Sequence, residues 1–185
     1  MKKKILSLLI LPMLVLMMCL AWTSPAKAAI KAQITLAAPD QAVVGETFDV
    51  TIKIAMSDFT AKTVHFEIVY DKTRLEPVFT NDDKLGTPLY QPDHDGVDWD
   101  LDKNLCMVIW VADAYGETAI GSEDGVVEFF KMSFKVKDSA PDGLATINVD
   151  FSNGSIADAR SNDPTEMDNA VELRDSEISI TAANV

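Results

Sequence analysis

Hydrophobic and polar residues alternate at period two in several stretches of the chain. Phe48, Val50, Ile52 and Ile54 are interleaved with Asp49, Thr51 and Lys53. Val64, Phe66, Ile68 and Tyr70 are interleaved with His65, Glu67 and Val69, and Phe134 and Val136 with Lys135 and Lys137. The last of these ends a longer apolar run that begins at Val126 and passes through Phe129 and Phe130. Residues 144–149 and Ile178-Ser179-Ile180 repeat the pattern. Successive side chains of a strand point to opposite faces, so each stretch predicts a strand with one face in a core and the other in water. The continuous apolar run of residues 105–112 predicts a central strand covered on both sides. Between the runs lies turn chemistry: Pro39-Asp40, Val44-Gly45, Asn81-Asp82-Asp83, Asp95-Gly96, Asp124-Gly125, Pro141-Asp142-Gly143 and Asn153-Gly154. No stretch has helical periodicity. Short strands with regular turn signals predict an all-β sandwich.

The N-terminus follows a different logic. Met1-Lys2-Lys3-Lys4 is a basic start, residues 5–22 are an apolar run broken only by Ser7 and Pro12, and Ser24-Pro25-Ala26-Lys27-Ala28 ends in small residues. That layout predicts a secretory signal over residues 1–28, cut after Ala28, and a single domain over 29–185. The mature chain then has 157 residues, enough for one core without disulfides. Its 12 basic residues face 29 acidic ones, a net charge of −17. Such a charge repels nucleic acid and anionic membranes, so neither is an expected partner. Cys19 leaves with the signal. Cys106 remains alone, which excludes a disulfide scaffold and a cysteine-type zinc site.

Catalytic groups are scarce. His65 sits in a predicted strand and His94 in an acidic loop, neither at metal-ligand spacing from another His or Cys. Cys106 lies inside an apolar run, where burial makes a thiol inert. No nucleophile elbow or phosphate loop is present, so no enzyme and no cofactor are expected. The acidic stretch from Asp93 to Asp102 invites a calcium reading, because calcium takes several carboxylate oxygens. It fails the twelve-residue loop pattern. Strand alternation explains it better, with Asp98, Asp100 and Asp102 wet and Val97, Trp99 and Leu101 dry.

Several motifs, in order, carry a resemblance. They are Val44-Gly45-Glu46-Thr47-Phe48-Asp49-Val50, the strand Phe66-Glu67-Ile68-Val69-Tyr70-Asp71-Lys72-Thr73-Arg74-Leu75-Glu76, and Ala112-Asp113-Ala114-Tyr115-Gly116 after the central run. Asp124-Gly125-Val126-Val127 and the late stretch Phe134-Lys135-Val136-Lys137-Asp138-Ser139-Ala140-Pro141-Asp142-Gly143 complete the set. Together, over residues 32–180, they resemble the cohesin family, the secreted modules by which scaffolding proteins hold dockerin-bearing enzymes. The resemblance implies a sandwich of about nine strands with jelly-roll topology, related to carbohydrate-binding modules. It implies a secreted, non-catalytic partner-binding domain that helps assemble polysaccharide-degrading enzymes, any calcium being carried by the dockerin. It further implies docking on a sheet face by outward residues Thr63, His65 and Glu67, with Trp110 and Asp113 at the central strand and its exit. Many cohesins carry Asn and Asp where Thr63 and His65 stand, a departure that bears on dockerin type. The alternative is a carbohydrate-binding module on the same sandwich with polysaccharide as partner, and a third reading is a purely structural surface module. Sugar binding wants exposed aromatic faces, whereas Trp99, Trp110, Tyr70, Tyr90 and Tyr115 are scattered.

Overall fold

A computed structural model of the chain describes residues 31–79, 83–112, 118–158 and 171–181. The signal segment lies outside them. Twelve strands run in chain order: β1 (Ala32–Ala37), β2 (Gln41–Val43), β3 (Thr47–Met56), β4 (Ala61–Tyr70), β5 (Leu75–Val78), β6 (Thr87–Pro88), β7 (Asp98–Asp102), β8 (Met107–Val111), β9 (Val126–Val136), β10 (Gly143–Asp158), β11 (Val171–Arg174) and β12 (Ser176–Thr181). One 3-10 turn, Ser122–Asp124, precedes β9. The strands form two six-stranded sheets. The first has the order β11-β1-β3-β9-β5 with β6 also on β9, and the second β2-β12-β10-β4-β8-β7. The all-β sandwich is as the alternation implies, with twelve strands among the described residues against the nine expected; two of them, β2 and β6, are only three and two residues long.

The burial pattern follows the sequence pattern closely. Along β3, Phe48, Val50, Ile52, Ile54 and Met56 are buried while Asp49, Thr51 and Lys53 are not. Val64, Phe66 and Ile68 of β4 meet them from the second sheet, in one continuous core with Phe134, Val136, Ile147 and Ile178. Two local features break simple alternation. Ile52 pairs with Phe130 and Lys53 with Glu128, so Phe129 is an extra residue in β9. This bulge turns both Phe129 and Phe130 inward, each fully buried. In β10 the pairing jumps from Asp150 opposite Glu67 to Ser155 opposite His65. Asn153-Gly154 is therefore not a turn between strands but part of a bulge within one strand. Gly154 is required there, since a Cβ would stand 2.7 Å from the His65 carbonyl oxygen and 2.5 Å from the Phe151 ring.

Two of the motif turns are tied together. The Asp71 carboxylate accepts from Thr73 N at 2.8 Å, Thr73 Oγ1 at 2.5 Å and Arg74 Nη1 at 2.7 Å, closing the turn after β4. Arg74 Nε in turn donates to the Pro141 carbonyl at 3.1 Å, which pins the turn before β10. Leu75, next in the chain, is fully buried.

Candidate functional site

The outward face of the second sheet is built from three cross-strand rows. Ala157, Thr63, Val111 and Asp98 stand in register across β10, β4, β8 and β7. Ser155, His65, Ile109 and Asp100 form the next row, and Asp150, Glu67, Met107 and Asp102 the third. Inward residues of the same strands, Val64, Phe66, Val108 and Trp110, are fully buried. The alternation thus brings Thr63, His65 and Glu67 onto one surface, each half-buried. His65 Nε2 is shielded from water and makes no hydrogen bond.

Trp110 does not join them. It is completely buried, because it shares the inward parity of Val108 and packs into an aromatic cluster. Its ring meets Phe129 edge-on at 5.9 Å and Tyr90 at 5.8 Å, and Trp99 packs on Phe129 at 5.0 Å. Asp113 lies outside the described residues.

The run at 105–112 is likewise not covered on both sides. Met107 and Ile109 are half-buried and Val111 is 36% exposed, so β8 lays an aliphatic stripe on the surface beside β4. Sequence reasoning missed these three residues. Their signal was present, since a strand apolar on both faces has a second face in need of cover.

Charge separates the two outward faces. On the first sheet the ions pair across strands: Lys53 with Glu128 at 3.2 Å, Lys131 with Asp49 at 3.1 Å and Lys135 with Glu76 at 3.9 Å. Ser133 Oγ also donates to Asp49 at 2.6 Å, which with Lys131 holds that carboxyl below its usual range. The three rows of the second sheet contain five carboxylates, of Glu67, Asp98, Asp100, Asp102 and Asp150, and no Lys or Arg. Asp102 accepts from the backbone N–H groups of Asn104 and Leu105, shaping the β7–β8 turn, and Asp150 from that of Ser152. Among the described residues nothing pairs with Asp98, Asp100 or Glu67. Beyond Glu67 a cleft of about 480 Å³ opens, lined by Val69, Tyr70, Lys72, Phe79 and Leu105 among others. Cys106 also borders it, and burial pushes its thiol pKa up, away from reactivity.

Asp98, Asp100 and Asp102 do alternate with half-buried Trp99 and Leu101, as a strand requires. Among the described residues no three His, Cys, Asp or Glu side chains gather as a metal ion would need. Tyr70, Tyr90, Trp99 and Trp110, the described Tyr and Trp residues, all pack against the core, so none offers a flat exposed ring.

Residues 32–173 match the family model described as Cohesin domain. The chain is a cohesin. A comparison with curated proteins finds no match. Among solved structures it is similar to a type I cohesin–dockerin complex from Clostridium thermocellum, at 14% identity and a TM-score of 0.56, covering 82% of this chain and 99% of that one. A cohesin module of a family 33 glycoside hydrolase from Clostridium perfringens gives 14% identity and 0.55, covering 83% and 99%. A type III cohesin module of a cell-surface anchoring scaffoldin from Ruminococcus flavefaciens gives 10% and 0.57, covering 84% and 90%. At such identities the likeness is one of fold, and it extends over nearly the whole described cohesin. As a member of this family the domain is a non-catalytic recognition module.

Proposed function

We propose that this cohesin is a secreted module that binds a dockerin across the β10-β4-β8-β7 face and so helps gather dockerin-bearing, polysaccharide-degrading enzymes outside the cell. The observation that carries this reading is the aliphatic stripe of Met107, Ile109 and Val111 on a sheet face, flanked by Thr63, His65 and Glu67. A flat sheet surface with a half-buried apolar centre suits a helix laid across it, and the polar neighbours supply direction. Solved cohesins of the same fold are seen in complex with dockerins, which agrees. Calcium enters only as the dockerin's own ion. Trp110 is buried and Tyr70, Tyr90 and Trp99 are half-buried against the core, which gives no support to a sugar-stacking platform.

The test is calorimetric titration of the mature domain with dockerin modules from secreted enzymes of the same organism. One-to-one binding supports the reading, and absence of binding to every dockerin overturns it. Secretion is tested separately: the released protein should begin at Ala29, and a form retaining Met1 would contradict cleavage after Ala28.

A further inference from the structure

The docking face is acidic in all three of its rows, which the fold alone does not require. Its β7 edge carries Asp98 and Asp100, both exposed and without a cation among the described residues. The row nearest the adjoining cleft adds Glu67, Asp102 and Asp150, and only beyond that row do lysines, Lys72 and Lys103, line the cleft. Lys103 pairs with Asp83, and Lys72 lies over the Tyr70 ring. The opposite sheet shows what this protein does with a face meant for water: carboxylates there stand beside lysines on the next strand. Asp98 and Asp100, two residues apart on one strand and about 7 Å from each other, are left uncompensated beside the apolar Val111 and Ile109. Such an arrangement costs stability unless a partner supplies the opposite charge.

We infer that the dockerin taken by this cohesin is a basic one, with Lys or Arg side chains that lie over Asp98 and Asp100 while its aliphatic residues cover Ile109 and Val111. This rests on the dockerin reading and deepens it by naming the partner's chemistry. Complementary charge at an exposed rim acts mainly on the rate of association and is screened by salt.

The experiment uses the intact mature domain and a dockerin that binds it in the titration above, followed by surface plasmon resonance at about 50 and 500 mM salt. The inference expects association to slow by roughly tenfold over that range for the wild type. The pair D98N/D100N, which keeps shape and removes charge, should lower the association rate about fivefold at low salt and flatten the salt dependence. The control D49N, on the other sheet, should alter neither. A dockerin whose Lys and Arg residues are changed to Glu should lose binding to the wild type and regain it with D98K/D100K. Tight binding that ignores both salt and D98N/D100N overturns the inference and leaves the dockerin reading standing. Absence of binding by any dockerin overturns both.

Discussion

Ile109 stands directly opposite His65 on neighbouring antiparallel strands, with Asp100 on its other flank. An apolar residue at the centre of an exposed sheet row is where binding energy concentrates, since its neighbours exclude water around it. Ile109→Ala should weaken dockerin binding by about 1–3 kcal/mol. The same change should cost the free domain less than about 1 kcal/mol, because the side chain is only half-buried. Titration calorimetry and urea unfolding of the same variant check the pair of numbers. A large stability loss with unchanged affinity would make Ile109 a core residue.

Trp110 should behave in the opposite way. Its contacts with Phe129 and Tyr90 are internal, so truncation leaves a cavity in the largest aromatic cluster. Trp110→Ala should destabilise the domain by about 3–5 kcal/mol. Trp110→Phe, which refills part of the space, should cost less. Both variants, where folded, should bind a dockerin with near wild-type affinity. Lost affinity in a fully folded Trp110→Phe domain would argue for a direct binding role.

The turn after β4 makes stability sensitive to acid. Asp71 has its pKa lowered to about 2, chiefly by the hydrogen bond from the Thr73 hydroxyl, with Arg74 adding to it against a burial penalty. A carboxyl whose folded pKa is depressed stabilises the fold fully above its unfolded value near 4. That contribution fades as pH falls toward 2. Asp71→Asn should therefore lower the urea midpoint at pH 7, and the gap from wild type should close between about pH 4 and pH 2. A gap independent of pH would mean the carboxylate charge is not what holds the turn.

Gly154 links the β10 bulge to the docking face. A Cβ there would lie 2.7 Å from the His65 carbonyl oxygen. Gly154→Ala should force β10 away from β4 and cost about 1–3 kcal/mol of stability. Affinity for a partner should fall as well, because His65 shifts with the backbone. Thermal unfolding and titration measure the two effects, and wild-type behaviour in both would show the bulge to be freely adjustable.

Much of the fold is legible in the chain because buried and solvated positions differ in chemistry along β3, β4, β7, β9 and β12. The legibility fails where that contrast vanishes. In β8 both parities are apolar, so alternation says nothing about which of Ile109 and Trp110 faces out. A docking stripe and a core stripe have the same composition until the second sheet is seen to cover only one. The bulges are hidden for a related reason. Phe129 and Phe130 read as consecutive alternating positions, yet an inserted residue sends both inward. Asn153-Gly154 has the chemistry of a hairpin turn, and the long pairing of β10 with β4 overrides it. The short strands β2 and β6 and the parallel pairings of β11 with β1 and of β12 with β2 depend on distant neighbours, which local pattern does not encode. Thr63, His65 and Glu67 could be grouped from sequence because β4 alternates cleanly.

The most direct measurement of where a partner docks is calorimetric titration of dockerins from the same organism into the wild-type domain and into the double variant H65A/E67A, neither of whose sites carries core packing. The account predicts one-to-one binding by the wild type, weakened by roughly 1–3 kcal/mol in the variant with folding almost unchanged. Wild-type domain that binds no dockerin but is retained on insoluble polysaccharide would contradict it.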